Sequence, residues 1–193
     1  MKQRFARWLL RVTGWTLEGV RPTHERCVLI AAPHTSNWDF PLMLACAAAF
    51  DLEVTWMAKH SLFTPPFGWI MRALGGIPIV RHENRNVVDS TVQAFSNTAQ
   101  LVLVVPTEGT RERTEYWKSG FYHIARQACV PIVPSFLDYE RKVAGFGPAL
   151  TTSDDIRLDM QYFRDFYEAV KGKFPADFGP IRLKEEQIGS APK

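Results

Sequence analysis

The sequence predicts an α/β fold, a mainly parallel mixed sheet covered by helices on both faces, with an N-terminal amphipathic helix. Three observations lead there. Apolar runs of strand length alternate with stretches whose apolar residues recur every three or four positions. Several of those runs, "CVLIAAP", "LVLVVP" and "VPIVPSFL", are apolar at successive positions, as strands covered on both faces are. A length of 193 residues with 46% apolar content suits one domain with a sizeable core.

In chain order, "MKQRFARWLLRVTGWTLEG" comes first. It places Phe5, Trp8, Leu9, Val12 and Trp15 on one helical face and carries Lys2, Arg4, Arg7 and Arg11 against only Glu18. Aromatics on one side and arginines on the other suit a helix lying in a membrane interface. An amphipathic helix packed on the domain with solvated arginines has the same pattern. Arg11 interrupts any signal-peptide core, and no run approaches the roughly 20 apolar residues of a bilayer span. "CVLIAAP" is then a strand, and "WDFPLMLACAAAF" a buried helix with Pro41 in its first turn, where a missing N–H costs little. "EVTWMAK" and "IPIV" are strands around a short helix, "FGWIMRAL", closed by Gly75 and Gly76. Helices over "NRNVVDSTVQAFSNT" and "SGFYHIARQA" lead into "LVLVVP" and "VPIVPSFL". "SFLDYERKVAGFGPAL" is expected to form a hairpin around Gly145 that adds an antiparallel edge. A last helix, N-capped by Ser153, spaces Ile156, Met160, Phe163, Tyr167 and Val170 as core positions, and the final dozen residues are polar and expected to be loose.

Composition excludes several classes of function. Net charge is +3, with 23 Lys and Arg mixed among 20 Asp and Glu, so no basic stripe calls for nucleic acid. Cys27, Cys46 and Cys129 are odd in number and lack CxxC spacing, which argues against a disulfide framework or zinc site and for a reducing setting. His24, His60, His82 and His123 show no paired ligand spacing. No G-x-S-x-G elbow presents a serine nucleophile.

Ligands of parallel sheets gather at the carboxyl ends of strands. Three loops there carry chemistry. "PHTSNWD" sets His34 five positions ahead of Asp39. An aspartate accepting the Nδ1 proton would leave Nε2 free to take a proton from an alcohol. Alternatively, Ser36 or Asn37 caps the next helix, Asp39 complements its dipole and His34 is a loop residue. After "LVLVVP", Glu108, Gly109, Thr110 and Arg111 combine a turn, a hydroxyl and a planar fork that matches phosphate, or else form part of a solvated charge cluster with Glu112 and Arg113. After "GGIPIV", Arg81, His82 and Arg85 would add to one anion site if the two arginine loops leave neighbouring strands.

Taken in order, "HTSNWD", "GGIPIVR", "EGTR" and "VPIVP", with "KSGFYHIA" between the last two, resemble the motifs of the glycerolipid acyltransferase family (1-acylglycerol-3-phosphate acyltransferase-like) over roughly residues 27–137. The resemblance implies that His34 is the general base for an acceptor hydroxyl and that Asp39 orients it. The activated oxygen would attack the thioester of acyl-CoA or acylated acyl carrier protein without an acyl-enzyme. Arg81 and Arg111 would hold the acceptor's phosphate, Glu108, Gly109 and Thr110 would shape that pocket, and "VPIVP" would order the acyl chain or thioester. The acceptor implied is a lysophospholipid, foremost lysophosphatidic acid converted to phosphatidic acid, with no cofactor and no metal. Oily substrates favour the interfacial role of the first helix. The expected division is therefore a membrane-interface helix over 1–20, an acyltransferase domain over 21–180 and a polar tail over 181–193. The expected location is cytoplasmic, peripheral on the inner face of the cytoplasmic membrane.

The chain departs from the family pattern at Pro33, Thr107 and Glu112. Glu112 brings negative charge beside the phosphate site, which keeps another lysolipid acceptor open. A lipid or thioester hydrolase using His34 to activate water and a non-enzymatic membrane-binding module are the alternatives of other classes. Acylated acceptor, free fatty acid or no turnover would distinguish the three.

Overall fold

The computed structural model describes residues 1–79 and 84–188. Helix α1 (Lys2–Val12) precedes a short strand β1 (Thr16–Glu18), followed by β2 (Arg26–Ala31), α2 (Asp39–Ala49), β3 (Thr55–Lys59), α3 (Gly68–Ala73) and β4 (Gly76–Ile79). Then come α4 (Asn84–Asn97), β5 (Leu101–Pro106), α5 (Gly120–Ala128), β6 (Ile132–Asp138), β7 (Val143–Phe146), α6 (Ile156–Tyr167) and α7 (Glu185–Ile188). The strands join one sheet in the order β1-β7-β6-β2-β5-β3-β4. Every neighbouring pair is parallel except β6 with β7.

The two-residue period of β2 divides the core into two layers. Val28 and Ile30 face Phe95 of α4, Phe121 and Ile124 of α5, and Met160 and Phe163 of α6. Cys27 and Leu29 face the opposite layer, where Trp56 and Phe63 are buried and Phe40 and Met43 of α2 pack on them. Both faces of the central strands are thus covered, which is why "CVLI" and "LVLV" are apolar without alternation.

Several elements differ from expectation. The hairpin turn lies at residues 139–142, and Gly145 is inside β7, paired with Glu18 of β1. A Cβ on Gly145 would run into the Glu18 carbonyl, so the glycine admits a neighbouring strand rather than making a turn. The edge on that side is β1, which the sequence reading merged with the first helix. Asp155, not Ser153, caps α6: its carboxylate accepts the Arg157 and Leu158 amides, while the Ser153 hydroxyl accepts the Asp155 amide one step earlier. The segment expected to be a loose tail packs as far as it is described. Leu183 is fully buried, and Glu186 accepts the Leu183 amide and pairs with Arg164 at 2.9 Å.

Helix α1 docks on α2 through its small face. Ala6 and Leu10 are buried there, and Gln3 and Arg7 donate to the Ala49 carbonyl. Alanines at 45, 48 and 49 of α2 permit this close approach. The apolar stripe expected to be a helix face therefore splits: Trp15 is buried, while Phe5, Trp8, Leu9 and Val12 remain exposed. Among the described residues no helix is long and apolar enough to cross a membrane.

Replacing a strand glycine by alanine ordinarily stabilises by roughly 0.5–1 kcal/mol. At Gly145 the sign should invert, with Gly145→Ala costing about 1–3 kcal/mol as β1 is forced off β7. Urea unfolding of the variant checks this by the shift in its midpoint.

Candidate functional site

Residues 32–38 leave the carboxyl end of β2 and fold back before α2 begins at Asp39. The turn is closed by hydrogen bonds from its own polar groups. Asp39 Oδ2 accepts the Ser36 amide at 2.9 Å, and the Ser36 hydroxyl accepts the Trp38 amide at 3.1 Å. This return brings His34 Nδ1 to 3.1 Å from the same Asp39 oxygen. Helix entry and an imidazole–carboxylate pair are thus one construction, although neither Ser36 nor Asn37 is the cap: Trp38 holds that position without a side-chain cap bond, and the Ser36 hydroxyl closes the turn one step earlier. With Nδ1 engaged, Nε2 is the nitrogen left for other chemistry.

A third group completes the arrangement. Tyr139, the first residue beyond β6, donates its hydroxyl to Asp39 Oδ1 at 2.7 Å. Strand β6 lies beside β2, so their carboxyl ends adjoin although the two residues are 100 positions apart. Burial, and then the bond to Asp39, holds the Tyr139 phenol above its ordinary value and keeps it a donor. Its ring meets Trp15 edge-on at 5.1 Å. Sequence reasoning missed Tyr139, although its place just past a strand's carboxyl end was a usable signal.

The "EGTR" turn follows β5, which pairs with β2 so that Ala31 stands opposite Pro106. Gly109, with φ of 70°, lets the chain turn, and Gly109, Thr110 and Arg111 line the same cavity as His34, Asn37 and Asp39. The exposed Arg111 side chain makes no hydrogen bond or ion pair within the described residues, so its fork is available to an anion. Neighbouring Arg113 is occupied by the Ala176 and Phe178 carbonyls.

Glu108 points elsewhere. It is 1% exposed, does not line the cavity, and its Oε2 accepts the His34 amide at 2.7 Å while Oε1 has no partner among the described residues. It braces the His34 loop from below instead of shaping a pocket. Arg81, with His82, lies outside the described residues. The sheet order puts β3 between β4 and β5, so the two arginine loops do not leave neighbouring strands as the sequence reading assumed.

Behind this polar mouth the cavity continues between the sheet and α2, with a volume of about 820 Å³. Leu29, Val104 and Phe136 of the sheet, Phe40 and Met43 of α2, and Trp56 and Met71 give it apolar walls. Cys46 also lines it, but burial pushes that thiol up to about 12, so it is no thiolate nucleophile at neutral pH. No cluster of metal-binding side chains occurs among the described residues. The site combines an oriented imidazole, an unpaired guanidinium and a long apolar recess, a set able to deprotonate the polar end of an amphiphile whose tail is sheltered.

The buried Glu108 makes stability depend on pH. Burial, its largest influence, raises the carboxyl from 4.5 to about 7 against the lowering from the His34 amide. A raised acid favours the folded state below its unfolded value, and that benefit disappears as pH rises through the folded one. Glu108→Gln keeps an acceptor for His34 and removes the titration. Wild type should therefore lose up to about 3 kcal/mol relative to Glu108→Gln between pH 4.5 and about 7, and no more above it. Urea unfolding of both proteins across that range measures the difference.

Comparison with known proteins adds three findings. The chain resembles a 1-acyl-sn-glycerol-3-phosphate acyltransferase of Saccharomyces cerevisiae, with 31% identity over 114 residues, 55% of this chain and 37% of the yeast protein. It thus spans little more than a third of that relative's length. Its fold matches the crystal structure of the 1-acyl-sn-glycerophosphate (LPA) acyltransferase PlsC from Thermotoga maritima, with a TM-score of 0.62 at 18% identity, covering 89% of this chain and 80% of that one. The model of the Acyltransferase family matches residues 5–138, from α1 through β6 and so across both the His34 and the Arg111 loops, and the chain belongs to that family.

Proposed function

We propose that the protein transfers a fatty acyl group from a thioester, acyl-CoA or acylated acyl carrier protein, to the hydroxyl of a lysophospholipid, foremost lysophosphatidic acid. The observation that carries this is the meeting of the His34–Asp39 pair with the unpaired Arg111 at the mouth of an apolar cavity. Similarity to two enzymes named for this acceptor supports the choice. In this reading His34 Nε2 takes the proton of the acceptor hydroxyl while Asp39 holds the Nδ1 proton and steadies the imidazolium. The oxygen attacks the thioester carbonyl, the carbon–sulfur bond breaks, and the departing thiolate takes the proton back from His34. Arg111 pairs with the acceptor's phosphate, with Arg81 as its proposed partner, and Gly109 and Thr110 shape the rim. Transfer is direct, without an acyl-enzyme, and Ser36, which lines the cavity, serves the loop turn by accepting the Trp38 amide.

The same reading has residues 21–180 as the acyl-transfer domain, working with no cofactor and peripherally on the inner face of the cytoplasmic membrane. The first 20 residues supply its interfacial helix. Support comes from the exposed Phe5, Trp8 and Val12 of α1 beside Lys2, Arg4 and Arg11, a combination suited to anionic headgroups.

The deciding assay gives purified protein acyl-CoA and a panel of lysolipids and analyses the products. Asp39→Ala should lower kcat by about 10²- to 10⁴-fold. Arg111→Ala should raise KM for phosphate-bearing acceptors roughly 10- to 100-fold and leave phosphate-free ones alone. Tyr139→Phe, which keeps the ring packed on Trp15, should lower kcat by roughly threefold to tenfold with KM unchanged. Free fatty acid without acylated acceptor would replace the proposal by a hydrolase, and equal activity in all four proteins would end it.

A further inference from the structure

We infer that α2 and the 63–74 region form a second membrane-contacting surface beside α1, so that the protein meets an anionic lipid leaflet with the whole helical layer over its cavity. From Phe40 to Phe50, α2 carries no polar residue, yet it is not fully enclosed. Its inner side packs on the sheet and its flank is covered by α1, leaving Pro41 exposed and Leu44 half-buried. A helix apolar all round belongs in a core or against lipid. Beyond it stand Phe67 and Trp69, the latter 71% exposed. Helix α3 turns Met71 into the cavity and Trp69 away from it, so that indole has no structural duty inside the fold.

Charge selects the occupant. From Val54 to Ile79 the sequence contains Lys59 and Arg72, with one histidine and no acidic residue, while the exposed acids Asp51 and Glu53 stand beyond the carboxyl end of α2. On α1 the charged residues are all basic, and the only acid of α2, Asp39, is buried in its bonds to His34, Ser36 and Tyr139. A layer with exposed aromatics and an excess of basic over acidic side chains complements a negatively charged leaflet. The cavity reaches this surface, because Leu62 both lines it and is half-exposed. An amphiphile could thus pass from the leaflet into the recess without crossing water. That last point rests on the lipid-substrate reading above, whereas the surface itself is argued from the chain alone.

The test is flotation of the full chain with vesicles of phosphatidylcholine containing a minority of phosphatidylglycerol. No substrate is present, so failure of wild type to acylate any lysolipid would sink the function and leave this result standing. Phe67→Glu combined with Trp69→Glu should weaken vesicle binding roughly tenfold or more with an unchanged thermal midpoint. Leu158→Glu, an equally exposed site on α6 across the sheet, should bind as wild type does. Binding of the double variant equal to wild type would overturn the proposal by leaving α1 as sole anchor. Sedimentation showing that the double variant instead dissociates a dimer, with vesicle binding intact, would overturn it in favour of a contact between two copies.

Discussion

The carboxylate of Asp39 organises the site. Three groups converge on its two oxygens, the Ser36 amide and the His34 ring from the loop before it and the Tyr139 hydroxyl from beyond β6. The Ser36 bond folds the loop, the His34 bond orients a ring, and the Tyr139 bond ties both to the far end of β6. A buried carboxylate requires such partners, since removing it from water without them is costly. Satisfying Asp39 therefore forces the loop into the shape that presents His34.

Glu108 shows the same logic from the opposite side. It takes the His34 amide with one oxygen and leaves the other without a partner among the described residues, and burial raises its carboxyl. The β5 turn thereby holds the β2 loop through a bond that does not involve Arg111, whose guanidinium has no partner among the described residues. Bracing and ligand contact are divided between two residues three positions apart, because the turn at Gly109 sends the side chains on either side of it in different directions.

The sheet order explains why these parts meet. With β6, β2 and β5 side by side, their carboxyl ends deliver Tyr139, His34 and Arg111 to one rim. Helices α2 and α3 then cover the cavity that begins at that rim, with α1 packed on α2. Small residues along α2 let α1 sit close, which turns the aromatic side chains of α1 outward and makes the packed face and the apolar face of that helix different faces.

The alternation of strands and helices was legible because buried strands and amphipathic helices leave local periodicities in the chain. His34, Asp39 and Arg111 were legible because their motifs are contiguous and sit at strand ends. Tertiary structure alone decided the rest. Only the placing of β6 beside β2 makes Tyr139 a partner of Asp39, only the third dimension turns Glu108 away from Arg111, and only the approach of β1 gives Gly145 its purpose. Local sequence encodes which groups a segment can offer. Which of them face one another depends on strand order and close packing, and those are set by contacts between residues far apart in the chain.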